Sequence, residues 1–293
     1  MIINNKIIST LKTKGFVGFA QILLSRVYIK KSKYYTLIKE IVSDGRGLEI
    51  GGISTVFQKK NILPIYPHIV SLDNCNFSHN TIWEGDIHAG QTYAYDENHK
   101  RGRQFVLEAT DLNDIKDESY DFLLSSHMIE HTANPIKALK EWIRVVKVDG
   151  QLILLVPHKE GTFDHNRPVT RLEHLLKDYE QDTTEKDLTH LDEILELHDL
   201  SMDKEAGTHT EFTTRSKNNF NNRCLHQHVF DTNLVLQILD YLHLEIVSIE
   251  AKAPMHIIAI AKKVQNSSLV NNKHFFKRML SGHFESPFIS DKV

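Results

Sequence analysis

The chain has 293 residues, 41% of them hydrophobic and 25% charged, with a formal net charge of −3. That length buries one large α/β core with residues to spare for an insertion and tails, and the composition excludes disordered, collagen-like and repeat classes. A slightly acidic chain argues against a nucleic-acid coat, so no nucleic-acid partner is expected.

The charge is uneven, because residues 1–39 hold eight Lys or Arg and no acid, leaving −11 for the remainder. Residues 1–40 therefore read as a basic amphipathic helical segment. Its apolar stretch "GFVGFAQILLSRVYI" (15–29) is interrupted by Arg26 and is shorter than the roughly 20 residues that span a bilayer. No small-residue cleavage site of the A-x-A kind follows it. Two readings stay open: a helix packed on the domain or a partner, or a basic helix making peripheral contact with an anionic membrane face through residues 10–33. The two cysteines, Cys75 and Cys224, stand in no CxxC spacing. They support neither a disulfide framework nor a thiolate zinc site, and a reducing cytoplasm suits them.

From residue 46 short apolar runs alternate with helical segments, which predicts a doubly wound, mostly parallel sheet. Strands are expected at "GLEIG" (47–51), "HIVSLDN" (68–74, ending near Asp73), "QFVLEATDL" (104–112) and "SYDFLLSSH" (119–127). "NPIKALKEWIRVVKVDG" (134–150) predicts a helix capped by Asn134, with Pro135 at its first position and Asp149-Gly150 as its terminal turn. The unbroken apolar run "QLILLVP" (151–157) that follows suits a central parallel strand covered on both faces. Toward the end, "FDTNLVLQILDYLH" (230–243) reads as a helix, and "LEIVSIE" (244–250) and "HIIAIAKK" (256–263) as strands whose short connection demands an antiparallel pair. Residues 159–228 are polar, His-rich and helical in pattern, as an inserted substrate cap would be. The core is thus assigned to 41–158 and 229–264, and 265–293 to a weakly ordered tail.

In an open parallel sheet the ligand sits beyond the carboxyl ends of the strands. The residues there include Glu49, Gly51 and Gly52, then Asp73, Asp111, Ser126 with His127, and His158. Gly45, Gly47, Gly51 and Gly52 do not fit G-x-G-x-x-G, and a pyrophosphate would be repelled by Glu49 and Asp111. A phosphate-free nucleoside with a positive centre fits better, and S-adenosylmethionine is such a molecule.

The segments "LEIGG", "SLD", "ATDL" and "ESYDFLLSSHMIEHTANPIKALKEWIRVVKVDGQLILLVPH" together resemble, in order and spacing, the motifs of class I S-adenosylmethionine-dependent methyltransferases. The likeness covers roughly 45–158 and extends to the final strand pair. It implies a Rossmann-like seven-stranded sheet with an α-rich insertion and S-adenosylmethionine as cofactor. It also implies that Glu49, Gly51 and Gly52 form the loop beside the methionine end, that Asp73 and Asn74 lie at the ribose, that Ala109, Thr110 and Asp111 flank adenine, and that Ser126 and His127 border the methyl. One departure is that Ile53 stands where the family's second loop glycine is expected.

A sugar hydroxyl is so weakly acidic that its proton must leave as the methyl arrives, and histidine is the usual agent. The candidate bases are His158, His127, His131 and His165. The cap histidines of "DLTHLDEILELHD" and "HQH" raise the question of a metal, but no His-x₃-His pair stands on one turn there, and no metal is assigned. The likeness extends to enzymes of bacterial surface-polysaccharide biosynthesis, so a small-molecule or lipid-linked glycan acceptor at the inner membrane face is expected. The rival readings are a noncatalytic module that keeps the fold, and an NAD-dependent nucleotide-sugar oxidoreductase or epimerase.

Overall fold

A computed structural model describes residues 30–292. Most of the basic N-terminal segment, including residues 10–29 of the expected membrane contact, lies outside the described residues. Among the described helices none is long and apolar enough to cross a membrane.

Among the described residues ten strands form: β1 Arg46–Ile50, β2 Ser71–Asn76, β3 Asn80–Thr81, β4 Gly85–Asp86, β5 Gly90–Tyr93, β6 Gly102–Val106, β7 Tyr120–Ser126, β8 Val146–Pro157, β9 Glu245–Lys252 and β10 His256–Lys262. Eight build one sheet in the order β5-β6-β2-β1-β7-β8-β10-β9, and β3-β4 is a separate ribbon. The β6-β2-β1-β7-β8 block is parallel, while β10 runs antiparallel to both β8 and β9. The chain leaves β1 toward β2 and β6, then crosses back to β7 and β8. Strand order therefore reverses between β1 and β7, which leaves a crevice beyond their carboxyl ends.

The expected seven strands are joined by an antiparallel edge strand, β5. The expected helices on either side of β2 do not form. Between β1 and β2 the chain makes only the 3₁₀ turns Thr55–Phe57 and Tyr66–His68. Pro64 and Pro67 interrupt that stretch, and a proline removes an amide donor and disfavours helix in the residue before it. The sheet face there is covered instead by helix α1 (Tyr35–Ser43) and by loop side chains, with Ile38, Val42, Phe57, Leu63 and Ile65 packed on Leu72, Phe122 and Leu124.

The other face is covered by α2 (Pro135–Val145), α3 (Leu172–Glu180), α7 (Thr232–Tyr241) and α8 (Lys273–Leu280), with α4 (Leu191–Leu197), α5 (His209–Lys217) and α6 (Asn219–Asn222) in the cap between. Helix α2 starts where the sequence requires, since the Asn134 side chain accepts the Lys137 amide and Pro135 occupies the first turn. Ile136, Leu139, Trp142 and Val145 form its buried stripe, and the Trp142 indole N–H donates to the Ala109 carbonyl at 3.0 Å.

The C-terminal residues were expected to be weakly ordered, but they pack on the core. Phe275, Met279, Phe284 and Phe288 join the main hydrophobic cluster. Asp291 accepts from Thr232 at 2.7 Å and from Ser286 at 2.7 Å. This segment reads as a tail because its four anchors are spaced by polar residues in no single period, so only the surface that receives them reveals their role. Replacing Phe288 with alanine should lower the unfolding free energy by about 3 kcal/mol in denaturant titrations, an outcome a frayed tail would not give.

Candidate functional site

The crevice at the β1/β7 switch opens into a cavity of about 790 Å³. Strand ends supply one wall: Ile50 and Gly51 after β1, Asn76 and Phe77 at β2, Glu108 and Ala109 beyond β6, Ser126 and His127 at β7. The cap and the ribbon supply the other, through Trp83, Phe163, Arg223 and His226. Of the residues expected beside a cofactor, Gly51, Ala109, Ser126 and His127 line the space. Gly51 has φ +78, and a Cβ there would stand 2.9 Å from Met128 Cγ, so this turn needs glycine.

Glu49, which raised the expectation of a cationic ligand, points to the opposite face of β1 from Leu48 and Ile50. It is fully buried and accepts from Ser54 Oγ at 2.6 Å, Tyr66 Oη at 2.9 Å and Tyr93 Oη at 2.5 Å. Burial pushes its carboxyl above the ordinary value, against the pull of those hydroxyls. Gly52 sits against this group, where a Cβ would meet Tyr93 Oη at 2.4 Å. Asn74 holds the loop by accepting from the Gly52 amide and donating to the Gly52 carbonyl, both at 3.0 Å. Glu49, Gly52 and Asn74 therefore shape the loop from behind.

Asp73 is not at the end of its strand. Strand β2 runs on to Asn76, and Asp73 pairs in register with Leu48. Its carboxylate accepts from the Arg46 guanidinium, from Tyr120 Oη at 2.9 Å and from the Arg103 amide at 2.8 Å, all at the amino-end side of the sheet. Asn76 and Phe77 occupy the cavity position assigned to Asp73. Asp111 is exposed and accepts only from the Asn113 amide, and neither it nor Thr110 reaches the cavity. The acids that do line it are Glu84, Glu108, Glu130, Glu185 and Glu205. Glu108 receives both guanidinium nitrogens of Arg223, at 2.7 and 3.1 Å, and so bolts the cap to the end of β6.

Among the candidate bases, His158 is wholly buried outside the cavity, stacked on Phe288 at 3.8 Å between ring centroids with Nε2 3.4 Å from Asp291. His165 pairs with Asp199 at 3.0 Å on the cap surface. His127 and His131 do line the cavity, and Glu130 and His226 join them. His127, at φ +51, hydrogen-bonds through Nε2 to His256 at 2.9 Å. The His131 Nδ1 lies 3.0 Å from the Leu225 carbonyl, so its N–H donates there and leaves Nε2 bare.

The sequence reading had His226 only within the cap's "HQH" and not among the candidate bases, because it lies 62 residues from its partner Asp164, which stands at 2.5 Å. Arg167 donates to the other Asp164 oxygen at 2.8 Å and to the His226 carbonyl at 2.8 Å, and its Nε reaches Glu193 at 2.9 Å. Burial opposes the charged imidazole, but Asp164 and Glu130 overcome it and His226 is raised above its ordinary value. Glu130, with both oxygens buried and unpartnered, is pushed up to about 7 by burial. His127 and His131 are held down to about 3 by burial and by neighbouring imidazoles, and His256 to about 4 by burial and Lys252.

These shifts give a signed pH dependence. Below the ordinary histidine value the unfolded chain binds protons that His127, His131 and His256 refuse, so each loses the fold stability as pH falls. Glu130 and His226 bind protons more readily when folded and act the other way. His226 acts only above the ordinary histidine value, so below it Glu130 alone opposes the three imidazoles, and together these four groups cost the fold stability as pH falls from roughly 6.5 to 4.5. Denaturant titrations across that range should show it, and His127→Gln should flatten the slope.

Residues 72–154 match the family model described as Methyltransferase domain. No curated protein matches the chain. Solved structures similar to it include an S-adenosylmethionine-dependent methyltransferase from Mesorhizobium loti, with 10% identity, a TM-score of 0.47 and coverage of 78% of this chain and 95% of that one. Another, from Methanosarcina mazei, has 15% identity, a TM-score of 0.46 and coverage of 81% and 100%. The matched segment runs from the second residue of β2 to within β8 and so takes in the β7 end of the cavity; over it, the chain is similar to methyltransferase domains.

Proposed function

We propose that the protein transfers a methyl group from S-adenosylmethionine to a sugar or glycan hydroxyl, with His226 as general base. The observation that carries this reading is the Asp164–His226 pair on the cavity wall opposite the strand ends. A buried carboxylate that hydrogen-bonds Nδ1 fixes the tautomer, leaves Nε2 as the proton acceptor and stabilises the imidazolium that forms. His127 and His131, held near 3, are poorly matched to that task at neutral pH.

The site would work as follows. S-adenosylmethionine supplies an activated methyl on a cationic sulfur. Gly51, Asn76 and Ala109 would border the nucleoside and methionine end, and the exposed carboxylates Glu84 and Glu205 give the cavity lining negative charge that favours a cation over a pyrophosphate. Bound there, the cofactor would give its methyl to the acceptor oxygen and leave as the neutral thioether, which keeps the electron pair of the broken C–S bond. The hydroxyl proton passes to His226 Nε2. Trp83 and Phe163 offer flat apolar faces for a sugar ring, beside polar Thr162 and Arg223. A glycan carried on a lipid, within surface-polysaccharide synthesis at the inner membrane face, agrees with the basic sequence of residues 10–33.

Thermal-shift measurements should show stabilisation by S-adenosylhomocysteine and none by NAD; the reverse would mark an oxidoreductase, and neither response a noncatalytic module. With labelled cofactor, transfer should reach nucleotide sugars or lipid-linked glycans, and transfer only to protein or RNA would overturn the acceptor assignment. His226→Gln should lower kcat by about 10²–10⁴-fold while cofactor binding persists. Because the His226 imidazole is raised in the fold, wild-type kcat should increase with pH through an inflection above the ordinary histidine value.

A further inference from the structure

The cap holds a second cluster of histidines that takes no part in the cavity. His174 and Asp178 stand one helical turn apart on α3, His190 immediately precedes α4, and His228 lies on the return to the core. The three imidazoles place one ring nitrogen each within 4.8 Å of one another. His174 Nε2 is 3.0 Å from His190 Nε2 and 3.3 Å from Asp178 Oδ2, and His228 Nε2 is 3.7 Å from the same oxygen. Four ligands about 2.0–2.1 Å from a central ion stand roughly 3.3 Å apart along the edges of a tetrahedron. The two separations from His174 Nε2 lie close to that edge.

Two buried atoms here have no hydrogen-bond partner, Asp178 Oδ2 and His228 Nδ1, on side chains that are 12% and 1% exposed. A dry pocket ordinarily satisfies such groups. The supporting contacts are those that metal ligands use. Thr183 donates to Asp178 Oδ1 at 3.2 Å, which turns the other oxygen inward, and His228 Nε2 lies 3.3 Å from the Ala133 carbonyl. No thiolate is present and nothing in the set is redox-active.

We propose that His174, His190, His228 and Asp178 form a structural zinc site that staples α3, the start of α4 and the segment that returns from the cap to the core. The site is closed, with four protein ligands and no position left for substrate. It lies apart from the cavity lining but is joined to it through the chain, since His228 follows Gln227 and His226. Zinc would hold the segment that presents the proposed base, and the site stands whether or not methyl transfer is the reaction.

The test uses the untagged full chain, stripped with a chelator and titrated with zinc chloride. One equivalent should bind and raise the melting temperature. The cobalt(II) form should show the intense visible bands of a tetrahedral ion. His190→Asn and Asp178→Asn should each weaken zinc by more than about 100-fold, beyond the 10–100-fold that loss of a merely supporting contact costs. His226→Gln should leave the stoichiometry at one. No zinc uptake by the wild type, or a six-coordinate cobalt spectrum, would overturn the proposal. So would zinc that is lost with His226→Gln and retained in His190→Asn, because the ion would then belong to Glu130, His131 and His226, which also converge. Should the cap variants fail to fold, His226→Gln that still binds one zinc and keeps the tetrahedral cobalt bands supports this cluster, and loss of the ion in that variant overturns it.

Discussion

The cavity wall depends on one buried cation, Arg167, whose side chain is 1% exposed. It gathers Asp164 from the loop after β8, Glu193 from α4, and the carbonyls of His226 and Gln227 from the segment that returns to the core. A guanidinium removed from water needs this many acceptors, because its desolvation outweighs the attraction of a single carboxylate. The same requirement fixes three distant segments in one arrangement. Asp164 is thereby shared, one oxygen for Arg167 and one for His226; burial opposes its charge, but these two partners outweigh it and hold the carboxyl down to about 2.

This sharing separates the histidines by role. Those without a carboxylate partner, His127 and His131, are neutral in the fold because burial dominates. His226 has Asp164 and escapes that fate. Glu130 faces three imidazoles at 3.7–3.9 Å without a close hydrogen bond from any, and burial raises it toward neutrality. The floor of the cavity thus places proton-accepting groups of graded affinity within a few ångströms, as acid–base chemistry on a bound hydroxyl requires.

The acids behave differently from a ring aimed at the ligand. Glu49 is consumed by Ser54, Tyr66 and Tyr93, and Asp73 by Arg46 and Tyr120. Both serve to hold neighbouring strands and turns together. The cavity has acidic groups of its own, the exposed Glu84 and Glu205 among them, which a motif comparison does not select.

The sequence alone carried the parallel core, helix α2 with its cap, the antiparallel final pair and the location of the crevice. These follow from hydrophobic period, capping residues and connection length, all of which act between near neighbours in the chain. Whether Glu49 faces inside or outside turned on one step of strand alternation, and whether Asp73 lies at a strand end turned on where β2 stops, two residues beyond Asn74. Neither is encoded locally. His226 with Asp164, and His174 with His190 and His228, join across 62 residues and across 16 and 38. A search for His-x₃-His passes over the His174–Asp178 turn because one ligand there is a carboxylate. Spacing reveals ligands only when they share an element; these come from different elements, and packing alone brought them together.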